Sequence, residues 1–365
     1  MEEYDAIIVG ASFAGLATAS FTRGDKLLVL EKEARLGARQ RSTCAAPVSW
    51  VKRLGAAGSI RGVMDTLVVH SPFGMEITVP LPERYCTLDY AAFCSLVAER
   101  LDAEIKTGAE VTGVVTGRRL KLSTPAGVYS AEVVVDASGW RAAVVSGLKG
   151  DYSAPPPARG VETEAEYDAK KVHIYLGSRI IPGGYAWVFP LENGRARVGL
   201  GSLKKVNLPE LNRSFLEYLG IERYGSHHGG VIPCSGLREP VVGGIFAVGD
   251  AGGQVLPGTA EGIRKAFEYA ELCGGLISRV INGELPLEEA QEIYRRGVLS
   301  SRKFYDTMLA IQKVAYRLPD RVVEDVLSRV ARRHLINAIV NAYFAENRGV
   351  DLSGVLRYLE LVSRL

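Results

Sequence analysis

Apolar positions along this chain follow two periods, and the places where the period changes divide it into segments. Ala6 to Val9 is a continuous apolar run, the pattern of a parallel strand covered on both faces. A helical pattern follows from Phe13 to Phe21, and Leu27 to Leu30 reads as the next strand, giving one βαβ unit. Arg39 to Trp50 mixes cations with Cys44 and Pro47 and reads as a loop. Val63 to Val79 reads as strands around the turn Ser71-Pro72-Phe73-Gly74, and Leu88 to Leu101 carries a helical period. Ala109 to Gly117, Leu120 to Ser123 and Tyr129 to Val135 read as strands. The proline-rich stretch Ser153 to Pro157 reads as a boundary. Beyond it, Glu162 to Leu203 alternates with period two, as in Val172, Ile174 and Leu176. Gly244 to Val248 is a second buried strand, Thr259 to about Ile281 a helix, and the pattern is helical from Pro286 onward.

Composition narrows the picture. A length of 365 residues fits two or three packed subdomains, with 47% hydrophobic and 23% charged residues, ordinary values for a globular protein. A net charge of +3 supplies no strong field for nucleic acid, so no nucleic-acid partner is expected. The five cysteines contain no C-x-x-C pair, which argues against an iron–sulfur cluster or a zinc ribbon. His227-His228 lacks metal-ligand spacing, and no metal site is expected. No signal peptide and no bilayer-length apolar run is visible, so the expected location is cytoplasmic, with membrane contact at most peripheral. Abundant Arg and sparse Asn and Gln hint at a thermophile.

The candidate chemistry starts at Gly10-Ala11-Ser12-Phe13-Ala14-Gly15, between the first strand and the first helix. In a dinucleotide fingerprint the first glycine makes the tight turn, the second admits the pyrophosphate and the third lets helix pack on strand. Gly10 and Gly15 fill the first and third places, while Ser12 stands at the second. Glu31 follows about 20 residues on, where a carboxylate grips a ribose 2′-OH and repels a 2′-phosphate, disfavouring NADP. Two distant segments favour FAD over NAD. Val133 runs into Asp136-Ala137-Ser138-Gly139, and Ile245 runs into Gly249-Asp250 ahead of a helix whose start can face a flavin or pyrophosphate. Asp250 would accept from a ribityl hydroxyl.

These segments, with "VGDAGGQVLPGTAEGI" from Val248 to Ile263, resemble the FAD enzymes that include p-hydroxybenzoate hydroxylase. Within that group "GGYAWVFPLENGRARVGLG", Gly183 to Gly201, resembles the signature of the geranylgeranyl reductase family. The resemblance implies an α/β (α+β overall) fold: a Rossmann-like FAD-binding domain, an inserted antiparallel-sheet substrate domain and a helical C-terminal region. The boundaries it suggests are 1–150 with 240–285 for FAD, 151–239 for the sheet, with 60–90 contributing to the substrate side, and 286–365 for the helices. It implies FAD contacts at Gly10, Ser12, Ala14, Gly15 and Glu31, at Val111 through its backbone, and at Asp250, Gly262 and Ile263. Cys44-Ala45 falls where members often carry Cys-Gly beside the isoalloxazine, and Tyr90 stands where an arginine is usual.

The implied activity is reduction of C=C bonds in a geranylgeranyl or polyprenyl chain, of an archaeal ether-lipid precursor or a prenylquinone type, with reduced ferredoxin or NAD(P)H as electron donor. Tyr185, Trp187 and Phe189 would share one strand face and line the isoprenoid pocket. Cys44 is the first candidate for positioning or protonating the substrate, and Glu261 the rival proton source. Two alternatives stay open. Flavin monooxygenases and halogenases share this fold, although halogenases carry a lysine near the first glycine loop and Gly10 to Phe21 has none. The other is a non-catalytic FAD-binding protein.

Overall fold

Glu2–Val9 pairs in parallel with Leu27–Leu30 on one side and Gly127–Asp136 on the other, and Ile245–Ala247 adds in parallel beyond the latter. The computed structural model describes residues 2–150, 152, 158–332, 335–344 and 353–362. Glu104–Lys106 extends the parallel set, while Leu120–Thr124, Gly113–Val115 and Val241–Val242 add antiparallel edges, for eight strands. Ile7, Ile8, Leu28, Val29 and Val134 have no exposed surface, as the unbroken apolar runs require of strands covered on both faces. The helices Phe13–Phe21 and Ile263–Ile281 pack on one face. They cross closely because residue 274 is glycine: a Cβ there would lie 2.6 Å from the Thr18 carbonyl oxygen.

A second eight-stranded sheet runs in the order His228–Ile232, Ala158–Glu166, Arg195–Ser202, Gly184–Pro190, Val172–Tyr175, Ile60–His70, Glu76–Leu88, Ala45–Pro47. It is antiparallel except between Val172–Tyr175 and Ile60–His70. Helix Leu208–Tyr218 covers one face, packing Phe215 and Leu216 on Ala186, Val188, Val198 and Leu200. The opposite face carries Tyr185, Trp187 and Phe189. Among the described residues five helices, from Leu287–Leu299 to Ser353–Val362, follow.

Several local expectations change. The stretch expected as a loop from Arg39 to Trp50 contains the edge strand Ala45–Pro47, held by Thr87, Cys86 and Tyr85, and helix Val48–Arg53, with extended Pro47 as its N-cap. Ala109 to Thr112 is irregular, and only Gly113–Val115 is strand, because Gly108 and Ala109 bond back to Glu33 and Glu31. Leu88 ends a strand, and the next helix starts at Tyr90 with Asp89 as its cap, accepting from the Ala92 N–H at 2.9 Å. The helix expected from Thr259 begins at Ile263, since Ala260 is left-handed at φ 56°. The Ser153–Pro157 boundary lies outside the described residues.

Candidate functional site

The register of the first sheet puts three strand ends level. Val9 lies opposite Asp136, and Asp136 opposite Ala247, so the loops after all three open on one side. That crevice at the carboxyl ends is where open α/β sheets take their ligands. Gly10 has φ 105°, and a Cβ on it would lie 2.4 Å from the Ala137 carbonyl oxygen. A Cβ on Gly15 would sit 1.8 Å from the Gly10 carbonyl oxygen, so helix and strand meet there without room for a side chain. Gly249, at φ 67°, approaches Ala14 so closely that a Cβ would lie 2.7 Å from the alanine methyl. The first turn is thereby pressed against both distant loops.

Glu31 ends its strand with both carboxylate oxygens on backbone donors, the N–H of Ala11 and of Glu33, each at 2.8 Å. A carboxylate has about four acceptor sites, so capacity for a ribose hydroxyl remains. Val111 follows the segment tethered to Glu31 and Glu33, half-buried at the same end of the sheet. Ser12 is the N-cap of the first helix but makes no capping bond with its side chain; its Oγ accepts from Tyr90 Oη at 2.9 Å. In the sequence Tyr90 stands out only as a departure from a family pattern. Asp136 is structural: it accepts from Ser138 and from the N–H groups of Val144 and Val145, capping the next helix.

Asp250 is half-buried in the crevice, and burial, opposed only by Arg238, lifts its carboxyl to about 6. Gly262 lies beside it: a Cβ on Gly262 would be 3.7 Å from Asp250 Oδ1. Ile263 opens the long helix directly after Gly262. Arg238 gives Nη1 to the Trp140 and Ala251 carbonyls, while its buried Nε and Nη2 find no partner among the described residues. A cradle closed to side chains and a guanidinium with spare donors beside an acid fit a pyrophosphate and a polyol chain, so the residues present fit FAD.

Glu261 lies within a cluster of donors. Its carboxylate accepts from Tyr85 at 2.7 Å, from Tyr343 at 2.6 Å and from Arg264 at 2.8 and 2.9 Å. Burial pushes its carboxyl up, but the Arg264 charge and these donors outweigh it and hold the group below the carboxylate range. Its carboxylate is an acceptor that anchors the 256–262 loop. The other grips on that loop come from Tyr185 on the Thr259 carbonyl, Tyr316 on the Gly258 carbonyl and Gln312 on the Gly258 N–H.

Cys44 is buried in the left-handed region at φ 54°, strained for a residue with a Cβ. Its thiol donates to the Ser42 carbonyl at 3.2 Å, and burial pushes its pKa up to about 12 against the charge of Arg197, so it stays a neutral thiol. Ala45 starts the edge strand.

On the second sheet, Tyr185 and Trp187 line a small apolar cavity with Gly201, Ile232, Cys234, Gln312 and Tyr316. Its volume is about 20 Å³, room for a single water. Phe189 is on the same face but is not part of that lining; it packs against the cluster of Met64, Tyr85 and Val172. Three glycines make room for the indole: a Cβ on Gly199, Gly160 or Gly201 would lie 2.7, 3.2 and 3.4 Å from Trp187 ring atoms. The indole N–H donates to Glu162 at 2.9 Å. Sequence reasoning missed Glu162, because Glu162, Glu164 and Glu166 alternate like a solvated face. Gln312 and Tyr316 were missed because their helix shows only ordinary amphipathy. A second, open cavity of about 550 Å³ lies between Arg39, Gln40, Arg41 and His228. Among the described residues no group of His, Cys, Asp and Glu could hold a metal ion, and no helix is long and apolar enough to cross a membrane.

The two-sheet fold with its crevice is that of the FAD-binding flavoproteins. A flavin-dependent brominase superposes with a TM-score of 0.73 at 16% identity over 99% of each chain, and a geranylgeranyl bacteriochlorophyll reductase-like protein from Thermoplasma acidophilum with 0.82 at 19% over 99% of this chain and 100% of that one. Residues 157–228 match the family model of the geranylgeranyl reductase catalytic domain. A digeranylgeranylglycerophospholipid reductase of Methanothermobacter thermautotrophicus is 29% identical over 76% of this chain and 79% of its own length. The chain is thus similar to the digeranylgeranylglycerophospholipid reductases over most of its length and to the geranylgeranyl reductase catalytic domain over 157–228, the resemblance the sequence motifs carry.

Proposed function

We propose that this chain binds FAD in the crevice between Gly10–Gly15, Glu31 and the 249–263 segment, and reduces C=C bonds of a digeranylgeranyl glycerophospholipid. The observation that carries the reading is the convergence of three remote loops on one side of the first sheet, joined to a second sheet whose residues 157–228 match the reductase catalytic domain. The proposed division of the chain follows: the first sheet serves FAD, the second the lipid, and the C-terminal helices brace the 256–262 loop between them.

Bound FAD, once reduced, would supply the hydride for an alkene carbon. This chain's residues must do the rest. Asp250 and Gly262 would hold the polar middle of the cofactor, and Glu31 the ribose. Trp187 and Tyr185 present apolar faces against which a prenyl chain lies, with water excluded. The neutral Cys44 thiol holds a proton at Sγ beside the expected flavin edge. Glu261 fixes the loop that carries Gly262. Since the cavity beside Trp187 holds only about 20 Å³, entry of a chain requires its walls to open.

The test is direct. Protein reconstituted with FAD, reduced by dithionite without oxygen and mixed with digeranylgeranyl lipid should yield products heavier by two hydrogens per bond reduced, read by mass spectrometry. An unchanged lipid, or oxygen uptake with NAD(P)H and an aromatic substrate, would favour the monooxygenase or halogenase chemistry that shares this fold.

A further inference from the structure

We infer that Glu162 is a positioning residue that couples the aromatic wall of the prenyl pocket to the Cys44 segment through a single carboxylate oxygen. The inference rests on the functional reading above for its consequence, and on the hydrogen bonds alone for its geometry.

Glu162 sits in the middle of strand Ala158–Glu166, only 2% exposed. Its Oε2 accepts from Thr43 Oγ1 at 2.6 Å and from Trp187 Nε1 at 2.9 Å. Its Oε1 accepts from His228 Nε2 at 2.9 Å. The three donors come from three chain segments, and two of them share one oxygen. Burial alone would push this carboxyl up, but His228, Thr43 and Arg197 outweigh it and keep it ionised. An ionised carboxylate in a sheet interior costs several kcal/mol to desolvate, so packing alone would be better served by an apolar side chain.

Each side of the joint is otherwise set to move little. The indole of Trp187 rests on Gly160, Gly199 and Gly201, and a Cβ on Gly199 would strike both Glu162 Cβ at 2.5 Å and the indole at 2.7 Å. Thr43 precedes Cys44, and its carbonyl takes a bond from the fully buried Arg197, which also donates to the Leu88 carbonyl at 3.0 Å. The Thr43–Cys44 segment is therefore pinned at its carbonyl by Arg197 and at its hydroxyl by Glu162. Rotating the carboxylate to follow one donor displaces it from the other.

Two experiments test the joint. The first needs no cofactor: the protein has three tryptophans, and the Trp187 indole N–H is assigned by its loss in Trp187→Phe. Thr43→Val, which removes the neighbouring donor without touching Trp187, should shift that resonance, and Glu162→Gln should also speed its exchange with solvent. A Trp187 signal that Thr43→Val leaves unmoved overturns the inference. The second uses FAD-loaded protein. Trp187→Phe should act mainly on KM for the prenyl lipid and less on the visible circular dichroism of the flavin, Thr43→Val the reverse. Glu162→Gln should do both, with KM rising at least about tenfold, the scale of one lost charged hydrogen bond. Glu162→Gln reproducing only one of the two effects overturns the coupling. Wild-type protein that takes up no FAD sinks the functional reading, and the resonance experiment still decides the joint.

Discussion

The two sheets hold their halves of the site by different means. Around the first sheet the backbone does it: Gly10, Gly15 and Gly249 bring main chain against main chain or against Ala14, leaving no room for a Cβ. On the second sheet side chains do it: Trp187 donates to Glu162, Arg197 donates to Glu164 and to the Leu88 carbonyl, and Tyr185 packs on Trp187. A backbone-built site is destroyed by added volume and indifferent to charge. A site built from side chains is sensitive to the loss of one polar atom. This contrast can be broken, and the largest effect lies on the backbone side. Gly15→Ala places a Cβ 1.8 Å from the Gly10 carbonyl oxygen, and neither partner is a flexible side chain. We expect no FAD uptake and severe loss of stability, read by flavin absorbance and a thermal melt. Gly275→Ala is the control: nothing lies within 4 Å of its added methyl, and helix propensity should stabilise by up to about 1 kcal/mol. Gly15→Ala protein that still binds FAD would refute the backbone account.

The next effect separates chemistry from binding. Cys44→Ala should leave FAD content intact, since Cys44 contributes no bond to the Gly10–Gly15 turn, yet slow alkene reduction by about a hundredfold, the usual contribution of a positioned proton donor. Single-turnover oxidation of the reduced flavin by lipid measures it. Unchanged turnover would return the proton role to another group. Glu261, whose carboxylate accepts from three side chains, would then be tested by Glu261→Gln in the same assay.

The same contrast explains what the sequence discloses. Gly10, Gly15 and Glu31 are readable because a backbone turn demands a residue type at a fixed spacing. The parallel strands are readable because covering both faces makes them uniformly apolar. Trp187 stands out as an aromatic in a recognisable motif, but its tether does not. Glu162 sits in an alternating Glu-x-Glu-x-Glu stretch indistinguishable from a solvated face, and it is the side chains of Trp187, Thr43 and His228, remote in sequence, that meet its carboxylate. The Ala45–Pro47 strand is hidden for a related reason: an edge strand of three residues, ending in proline, carries too short a pattern.

A smaller effect, with a sign that depends on pH, falls on Asp250. Its carboxyl is raised from 3.8 to about 6 by burial. The neutral form is accommodated fully below about 3.8, and stability is lost as pH rises through about 6 and the buried group ionises. Asp250→Asn should therefore stabilise FAD-free protein at about pH 8, by at most about 3 kcal/mol for a shift of two units, and leave it unchanged at about pH 3.5. It should weaken FAD at the same time, because the amide is a poorer acceptor for a ribityl hydroxyl. Denaturant titrations at the two pH values, set beside FAD binding, check both halves. A variant less stable at about pH 8 would remove the account of Asp250 as an acid held ready for a ligand.

The smallest effect sits where the two modes of construction meet. Ser12 occupies a place where the fingerprint calls for glycine, and Tyr90 a place where an arginine is usual; in the fold the two hydroxyls lie 2.9 Å apart. Ser12 makes no capping bond with its side chain, and Tyr90 donates to its Oγ, so the serine O–H is left to point from the helix start toward an anion. Tyr90→Phe removes one neutral hydrogen bond and should weaken FAD by about 1 kcal/mol, roughly fivefold. Ser12→Gly restores the fingerprint glycine and deletes the acceptor, so in that background Tyr90→Phe should cost nothing further. A double-mutant cycle on FAD affinity reads the coupling. If Tyr90→Phe costs as much in the Ser12→Gly background as it does beside the native serine, the tyrosine acts on the cofactor by itself, and the turn is less purely a backbone device than its glycines make it.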